Sequence, residues 1–249
     1  MTEALGTRTI TAAVLVIGDE ILSGRTKDKN VGHIAERLTE IGVDLREVRV
    51  VPDVEEEIVA ALNALRHRYT YVFTTGGIGP THDDITADSV AKAFGVSIDV
   101  DPRARAMLLE YIAEKDLNEA RLRMARIPAG ADLIVNEVSK APGFKIGNVI
   151  VMAGVPRIMH AMLEAVLPTL DTGPKMLSET ILANAKEGDI AGPLREIAER
   201  FPGVSIGSYP FLSETGPNTN LVVRSRDPEL LAKAAKEVAD MVAARQPAA

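Results

Sequence analysis

The sequence has no cysteine among its 249 residues. A disulfide framework and a thiolate metal site are therefore excluded, and any bound metal must have oxygen or histidine ligands. The absence of cysteine suits a reducing compartment, so we expect a cytoplasmic protein.

Long apolar runs are also missing. The longest, residues 12–18, is far shorter than the roughly 20 residues that a membrane-spanning helix needs, so it predicts a buried strand and no membrane partner. Residues 1–9 lack the charged and apolar regions of a signal peptide, and we expect them to form a disordered leading tail.

Positive charge is scarce, since the formal net charge is −7. Nonspecific nucleic-acid binding depends on clustered Lys and Arg that neutralise phosphates, so we expect no nucleic-acid partner. A small anionic ligand remains compatible with local donors. The share of hydrophobic residues, 46%, and of charged residues, 25%, is that of an ordinary globular protein.

The first half of the chain alternates between strand and helix patterns. Apolar strand patterns occupy residues 12–17, 43–51 and 71–74, and patterns with helical spacing follow each of them at 31–41, 58–65 and 87–94. Asn30 is the expected N-cap of the first helix, Asp53 to Glu56 has the form of a capping box, and Thr86 is the expected N-cap of the third helix. Three strand–helix pairs in series predict right-handed crossovers and a parallel sheet.

The remainder predicts a second, smaller domain. Helices are expected at 102–112 and 118–126, a hairpin at 144–151 and a helix at 156–167. The turn-rich segment 171–175 then marks a boundary. We therefore predict an α/β domain over residues 1–172, a three-layer α/β/α sandwich with a mostly parallel sheet. A small α+β domain of order βαββα is expected over residues 173–249.

The most distinctive motif is a glycine loop at the end of the third strand. It comprises Thr75, Gly76, Gly77, Ile78, Gly79, Pro80 and Thr81. Glycines let the backbone turn tightly and bring amide groups close to an anion, and the following helix adds its positive end. The loop lacks the lysine of a Walker motif. A phosphate site is the functional interpretation, and a glycine-rich turn without a ligand is the alternative.

Acidic residues cluster around this loop. Asp83 and Asp84 follow it beside His82, and they can hold a divalent cation or serve as acid and base; alternatively they only favour the adjacent helix N-terminus. Glu20, at the end of the first strand with Gly18, should reach the same edge of the sheet; the alternative is an ordinary helix-start or loop residue. For Asp53 the capping box is a sufficient explanation, with a direct role as the second possibility.

Two turns and a basic group complete the candidates. The turns contain Pro142 with Gly143 and Gly154 with Pro156, and the second turn precedes a helix whose first residues can also meet an anion. The basic residues are Arg121, Arg123, Arg126 and Lys140. They can meet a terminal phosphate, or form a solvated helix face.

Together these motifs resemble the molybdopterin-binding domain family. The motifs are Gly18 to Gly24, Asn30, Thr75 to Thr86, Ala141 to Phe144, and Gly154 to Pro156. The resemblance covers residues 12–170 and is strongest to the N-terminal part of competence/damage-inducible proteins of the CinA type and to the corresponding domain of eukaryotic FAD synthase. The segment from Lys175 onward resembles the small domain that follows in CinA-type proteins, and we expect no nicotinamide-nucleotide amidase domain. Residues 25–29 and 137–140 depart from the family pattern.

The resemblance implies a ligand and two possible activities. It implies a phosphate-bearing pterin or nucleotide ligand at the residues named above, and acidic residues matching Asp53 and Asp84 in the active site. CinA-type and FAD-synthase-type relatives imply cleavage of ADP-ribose or FAD with a divalent ion (Mg²⁺, Mn²⁺ or Co²⁺), with Asp84, Asp83 and Glu20 as expected metal ligands. Other relatives imply a module that binds molybdopterin or a nucleotide without hydrolysis. Relatives also imply a homo-oligomer, a dimer or trimer.

Overall fold

A computed structural model describes residues 9–213 and 216–245. The contacts between residues divide the chain into two compact units, and the division lies between Gly173 and Pro174, one residue from the predicted boundary. The tail predicted at the N-terminus lies outside the described residues except for Thr9. Within the described ranges, no helix is both long and apolar enough to cross a membrane.

The first unit contains eight strands among its described residues. They are β1 Ile10–Ile17, β2 Val43–Val51, β3 Tyr71–Thr75, β4 Ile98–Val100, β5 Arg126–Pro128, β6 Asp132–Ile134, β7 Gly143–Ile146 and β8 Val149–Met152. Six of them form one sheet in the order β2-β1-β3-β8-β7-β6. Strands β2, β1, β3 and β8 are parallel, and the β7–β8 and β6–β7 pairs are antiparallel. The mostly parallel sheet is confirmed.

Helices cover both faces of this sheet. They are α1 Asp19–Leu22, α2 Asn30–Glu40, α3 Glu55–Arg66, α4 Thr86–Phe94, α5 Pro102–Leu109, α6 Glu119–Leu122 and α7 Pro156–Val166. One face of β1, β3 and β8 packs against apolar side chains of α3, α4 and α5. The other face packs against α2 and α7. Since strand side chains alternate between faces, two separate cores result, and the predicted three-layer sandwich is confirmed.

Two predicted helices differ from the structure. Helix α5 begins after Asp101, whose carboxylate accepts from the amides of Arg103 and Ala104, but ends at Leu109 rather than Ile112. The helix predicted over 118–126 is wrong beyond Leu122: a 3-10 turn follows, and Arg126 already belongs to β5, paired with β4. Pairing with a neighbouring strand here overrides local helix preference.

The second unit has the predicted order of elements. It comprises β9 Leu177–Leu182, α8 Glu187–Arg200, β10 Ser205–Ser213, β11 Gly216–Ser225 and α9 Pro228–Ala243. The sheet order is β10-β11-β9, and both pairings are antiparallel. Ile190, Leu221 and Val238 lie in a core formed within this unit, so it buries an apolar cluster of its own.

Candidate functional site

The glycine loop begins directly after β3, at the carboxyl end of the parallel strands. Gly76 and Gly77 both have positive φ, +103° and +65°. A Cβ on Gly76 would stand 2.1 Å from the backbone oxygen of Ile17, and a Cβ on Gly77 would stand 2.2 Å from the Thr86 hydroxyl. Side chains are therefore excluded at both positions by backbone conformation and by space.

Thr86 fixes the shape of this loop. It is fully buried, its hydroxyl donates to the Gly76 carbonyl at 3.0 Å, and its amide donates to the Gly77 carbonyl at 3.0 Å. The prediction that Thr86 is the N-cap of α4 is wrong, because it is the first helical residue and Ile85 occupies the cap position. Its hydroxyl is drawn to the loop instead.

Three amides of the glycine loop have no partner among the described residues. The amide of Gly76 donates to the Met152 carbonyl at 3.2 Å and so belongs to the sheet. Within the part of the chain that the structure describes, the amides of Gly77, Ile78 and Gly79 donate to no protein group. All three residues line the largest described cavity. Free amides in a loop before a helix are the arrangement that binds anions.

Asp84 is held against the same loop. Its Oδ2 accepts from the Thr81 amide at 2.8 Å and from the Thr81 hydroxyl at 2.5 Å. A Cβ on Gly79 would stand 2.6 Å from this oxygen, so glycine allows the carboxylate to approach the loop. Pro80, Thr81 and Asp83 are exposed and do not line the cavity.

A second acidic group forms where β1 and β2 end. Asp53 Oδ2 accepts from the amide of Asp19 at 3.0 Å. Burial raises the pKa of Asp53, and the nearby charges of Asp19, Glu20 and Asp83 raise it further, against the lowering effect of the Asp19 amide. The predicted capping box is wrong: Val54 occupies the cap position of α3, and no side chain caps it. Asp53 is instead directed to the end of β1, where it meets the Asp19 amide, and it lines none of the described cavities beside the glycine loop.

These carboxylates suit a divalent ion in one binding mode only. No three acidic or histidine side chains in the described ranges are close enough to hold a metal ion by themselves. Mg²⁺ at phosphate sites needs only one or two carboxylates, because the phosphates supply the other oxygens. Mutual repulsion around Asp53 is what a cation relieves. The donor set therefore fits an ion that arrives with a phosphate ligand.

The cavity beside the glycine loop has a volume of about 560 Å³. This lies within the range of about 300–1,000 Å³ typical of small-molecule sites. Seven of the predicted site residues line it: Glu20, Gly76, Gly77, Gly79, Asp84, Gly154 and Pro156. Gly154 meets Gly76 closely, since a Cβ there would stand 3.2 Å from the Gly76 Cα. Residues from three separate segments of the chain thus form one polar wall.

The remaining predicted residues do not line this cavity. Asn30 and Thr75 line a smaller pocket beside it, and Pro142 lines another behind the loop.

Asn30 is not the N-cap of α2 as predicted. Lys29 occupies the cap position, and the Asp28 carboxylate just before it accepts from the amides of Asn30 and Val31. The Asn30 Nδ2 donates to the Gly154 carbonyl at 2.8 Å. Gly18 donates its amide to the Val51 carbonyl at 3.2 Å. Gly143 serves packing, because a Cβ there would stand 2.4 Å from the Val151 carbonyl oxygen.

The basic residues considered for a terminal phosphate are engaged with protein groups. Arg126 pairs with Asp88, and Lys140 pairs with Glu110 and Glu137. Arg121 donates to the Asp116 carbonyl, and Arg123 donates to the Asp84 carbonyl at 3.2 Å. Arg123 and Arg126 line a pocket that residues of the glycine loop also line. Of these two, Arg123 has no carboxylate partner among the described residues.

Sequence reasoning missed the apolar side of the cavity. The residues concerned are Tyr111, Ile112, Met124, Ile158 and Met162. Tyr111 is 71% exposed, although it belongs to the cavity wall. In the sequence, Tyr111 shows only that an aromatic residue lies near a helix end. It does not show which other residues share the cavity with it. The apolar wall and the polar loop together suit a ligand with a flat ring and a phosphate.

The fold and the position of the cavity define an α/β domain that carries its site at the carboxyl edge of a mostly parallel sheet. A family model described as the probable molybdopterin binding domain matches residues 13–172, and the model of the FAD synthase middle domain matches residues 175–247. The chain belongs to the molybdopterin-binding domain family.

Relatives and a solved structure agree with this assignment. A protein of Pyrobaculum calidifontis is 37% identical over 211 residues, which cover 80% of each chain. A protein of Archaeoglobus fulgidus is 31% identical over 231 residues, covering 92% of this chain and 96% of the relative. The crystal structure of CinA from Thermoplasma acidophilum, described as a protein of unknown function, is 37% identical. It covers 64% of this chain and 96% of that chain, with a TM-score of 0.61.

Proposed function

We propose that this protein binds a nucleotide with a pyrophosphate, ADP-ribose or FAD, and hydrolyses it with the help of a divalent ion. The observation that carries the proposal is the cavity in which the free amides of Gly77, Ile78 and Gly79 share a wall with Asp84 and Glu20. Amides that need no rearrangement stabilise charge on phosphoryl oxygens, and this electrostatic effect is usually the largest in such reactions.

Each part of the site has a task in this proposal. The loop amides hold one phosphate, and the apolar wall that includes Tyr111 and Met124 receives the ring. Asp84, with Asp83 or Glu20, holds a divalent ion that neutralises charge on the pyrophosphate when bound. Water attacks one phosphorus, the bridging P–O bond breaks, and the leaving phosphate keeps the electron pair. In this proposal Asp53, whose pKa is raised by burial, takes the proton from the water.

The test is product formation by purified protein. ADP-ribose or FAD is incubated with Mg²⁺, Mn²⁺ or Co²⁺, and AMP is followed by chromatography. Asp84→Asn should abolish turnover with little unfolding, because Asn can still accept from the Thr81 amide. Asp99→Asn, at the exposed middle position of strand β4, is the matched control and should retain full activity. Absence of AMP with every metal would refute the hydrolase.

A binding module without hydrolysis is the second candidate. The observation that favours it is the lack of a three-residue metal cage among the described side chains. In that case a pterin or nucleotide raises the melting temperature of the protein while chromatography shows no product. A ligand-dependent thermal shift together with release of AMP would exclude the module.

A further inference from the structure

A small side pocket adjoins the main cavity at the start of α2. Its volume is about 50 Å³, and it shares Glu20, Gly76 and Gly154 with the main cavity. A single water needs roughly 10–15 Å³ of such space, so the pocket accommodates a small polar group but not a ring. Asn30 and Thr75 line this side pocket but do not line the main cavity.

Two buried polar atoms at this pocket have no hydrogen-bond partner in the described part of the chain. Asn30 is 4% exposed and Thr75 is 1% exposed. Neither Asn30 Oδ1 nor Thr75 Oγ1 has a hydrogen-bond partner among the residues described. Buried polar atoms are nearly always satisfied, so such exceptions need an explanation. The Asn30 Nδ2 donates to the Gly154 carbonyl, which fixes Oδ1 as the acceptor that remains.

The sheet register shows which way Thr75 points. Thr75 pairs with Val16 of β1 and Met152 of β8, and both belong to the core under α2 and α7. Paired residues of parallel strands direct their side chains to the same face. The Thr75 hydroxyl therefore lies on the side of the sheet that carries Asn30.

Thr74 is a built-in comparison. It pairs with Leu15 and Val151, which belong to the core on the opposite face, and it lines none of the described cavities beside the glycine loop. Its hydroxyl is likewise buried without a partner in the described ranges. The two adjacent threonines thus differ in one respect: only Thr75 lines the side pocket.

The pocket's chemistry selects a neutral group that both donates and accepts hydrogen bonds. Asn30 Oδ1 and the carboxylates of Glu20 and Asp28 accept, whereas Lys27, Lys29 and the Thr75 hydroxyl donate, so phosphate oxygens would meet the donors and leave the acceptors without a partner. Lys27 and Lys29 line the same pocket and pair with no carboxylate in the described part of the chain, so a cationic group is disfavoured as well. A pair of adjacent hydroxyls satisfies both the acceptors and the Thr75 hydroxyl.

We propose that the side pocket binds the 2′- and 3′-hydroxyls of a ribose, so that the site selects a nucleotide over a pterin that has no ribose. This inference rests on the proposed function, because it assumes that the nucleotide's phosphate meets the glycine loop. The ring of the same ligand then lies in the large apolar cavity, and the sugar lies between the two.

The test compares AMP with 2′,3′-dideoxy-AMP by titration calorimetry. Wild-type protein should bind AMP on the order of tenfold more tightly, since each hydrogen bond lost changes affinity severalfold. Thr75→Val should remove much of this preference, and Thr74→Val should leave it unchanged. Both variants should melt no lower than wild type, because each deletes a buried hydroxyl that has no described partner.

Different results separate this inference from the proposed function. Equal affinity of wild-type protein for the two nucleotides, or equal losses in Thr75→Val and Thr74→Val, would overturn the ribose assignment while leaving the phosphate site in place. If neither nucleotide binds, the ribose assignment and the proposed nucleotide activity both fall.

Discussion

Gly77 and Gly24 are a natural pair for testing the loop at the level of single residues. Both have left-handed backbone, with φ of +65° and +72°, but a Cβ on Gly24 meets nothing within 4 Å. An alanine pays about 1–2 kcal/mol for left-handed backbone at either site. Gly77→Ala also displaces the Thr86 hydroxyl, worth about 0.5–1.5 kcal/mol more. Urea unfolding should therefore show a larger loss for Gly77→Ala than for Gly24→Ala. Equal losses would mean that Thr86 does not hold the loop.

Asp53 should destabilise the folded protein at neutral pH. Its pKa is raised by burial in the folded protein. Its favourable contribution to the free energy of unfolding is therefore present below pH 3.8, the ordinary pKa of an aspartate, and is lost as the pH rises through the pKa of the folded state. Asp53→Asn should then raise the midpoint of urea unfolding at pH 7. Asp101 has a pKa lowered by Arg103, so its contribution is present above its ordinary value. Asp101→Asn should lower the midpoint. Shifts of the same sign in both variants would contradict this account.

Single residues show the limits of sequence patterns. Asp53 has the spacing of a capping box, but its carboxylate accepts from the Asp19 amide. Thr86 has the position of an N-cap, but its hydroxyl donates to the Gly76 carbonyl. In each case a partner far along the chain competes with the local amide. Local patterns identify polar residues near a helix start but not the bond they finally make.

At the level of elements, a pair of stacked histidines joins α2 and α7. The rings of His33 and His160 are 3.7 Å apart at their centroids and 18° from parallel. Burial lowers the pKa of His160, the His33 charge lowers it further, and Glu164, which also pairs with Arg37, opposes both. The unfolded chain therefore takes up a proton first as the pH falls below the ordinary value of 6.5.

This stack predicts a loss of stability on mild acidification. The free energy of unfolding should fall between pH 7.5 and pH 5.5 in wild-type protein, and this fall should be smaller in His160→Phe, which keeps a stacking ring. His67→Gln, at the exposed end of α3, should behave as wild type. An unchanged pH dependence in His160→Phe would show that the stack does not sense protons.

Elements were the most predictable level of this structure. Strand β2 has the predicted limits, and β1 and β3 extend the predicted runs by one or two residues, because continuous apolar runs of this length fit a sheet covered on both faces. The helix predicted over 118–126 is wrong at its end because Arg126 pairs with strand β4, and the local spacing of residues does not reveal that pairing. Likewise Lys29 occupies the cap position of α2, and Asp28, two residues before the expected cap, is the residue whose carboxylate accepts from the first amides of the helix.

At the scale of the whole molecule, the second unit should fold alone. Residues 174–249 bury their own apolar cluster, which includes Leu221 and Val238. A fragment of this size has a small core and is expected to be only marginally stable. It should nevertheless unfold cooperatively on heating when followed by circular dichroism. Leu221→Ala, which removes about 2–5 kcal/mol, should abolish that transition; a wild-type fragment without a transition would contradict the prediction.

The site is harder to predict than the fold because it is assembled from distant segments. The glycine loop and Glu20 could be named from their position after strands, since parallel strands end at one edge. Tyr111, Met124 and Met162 could not, because their place in the cavity depends on how α5, the segment after it and α7 pack. The polar half of the site is therefore visible in the sequence, and the apolar half requires the structure.

The most direct measurement of the central claim is a titration of ¹⁵N-labelled protein with AMP, followed by the backbone amide resonances. The free amides of Gly77, Ile78 and Gly79 should shift saturably with the nucleotide, while the Gly76 amide, bonded to the Met152 carbonyl, should shift less. Saturable binding that leaves these three amides unmoved would show that the phosphate is held elsewhere.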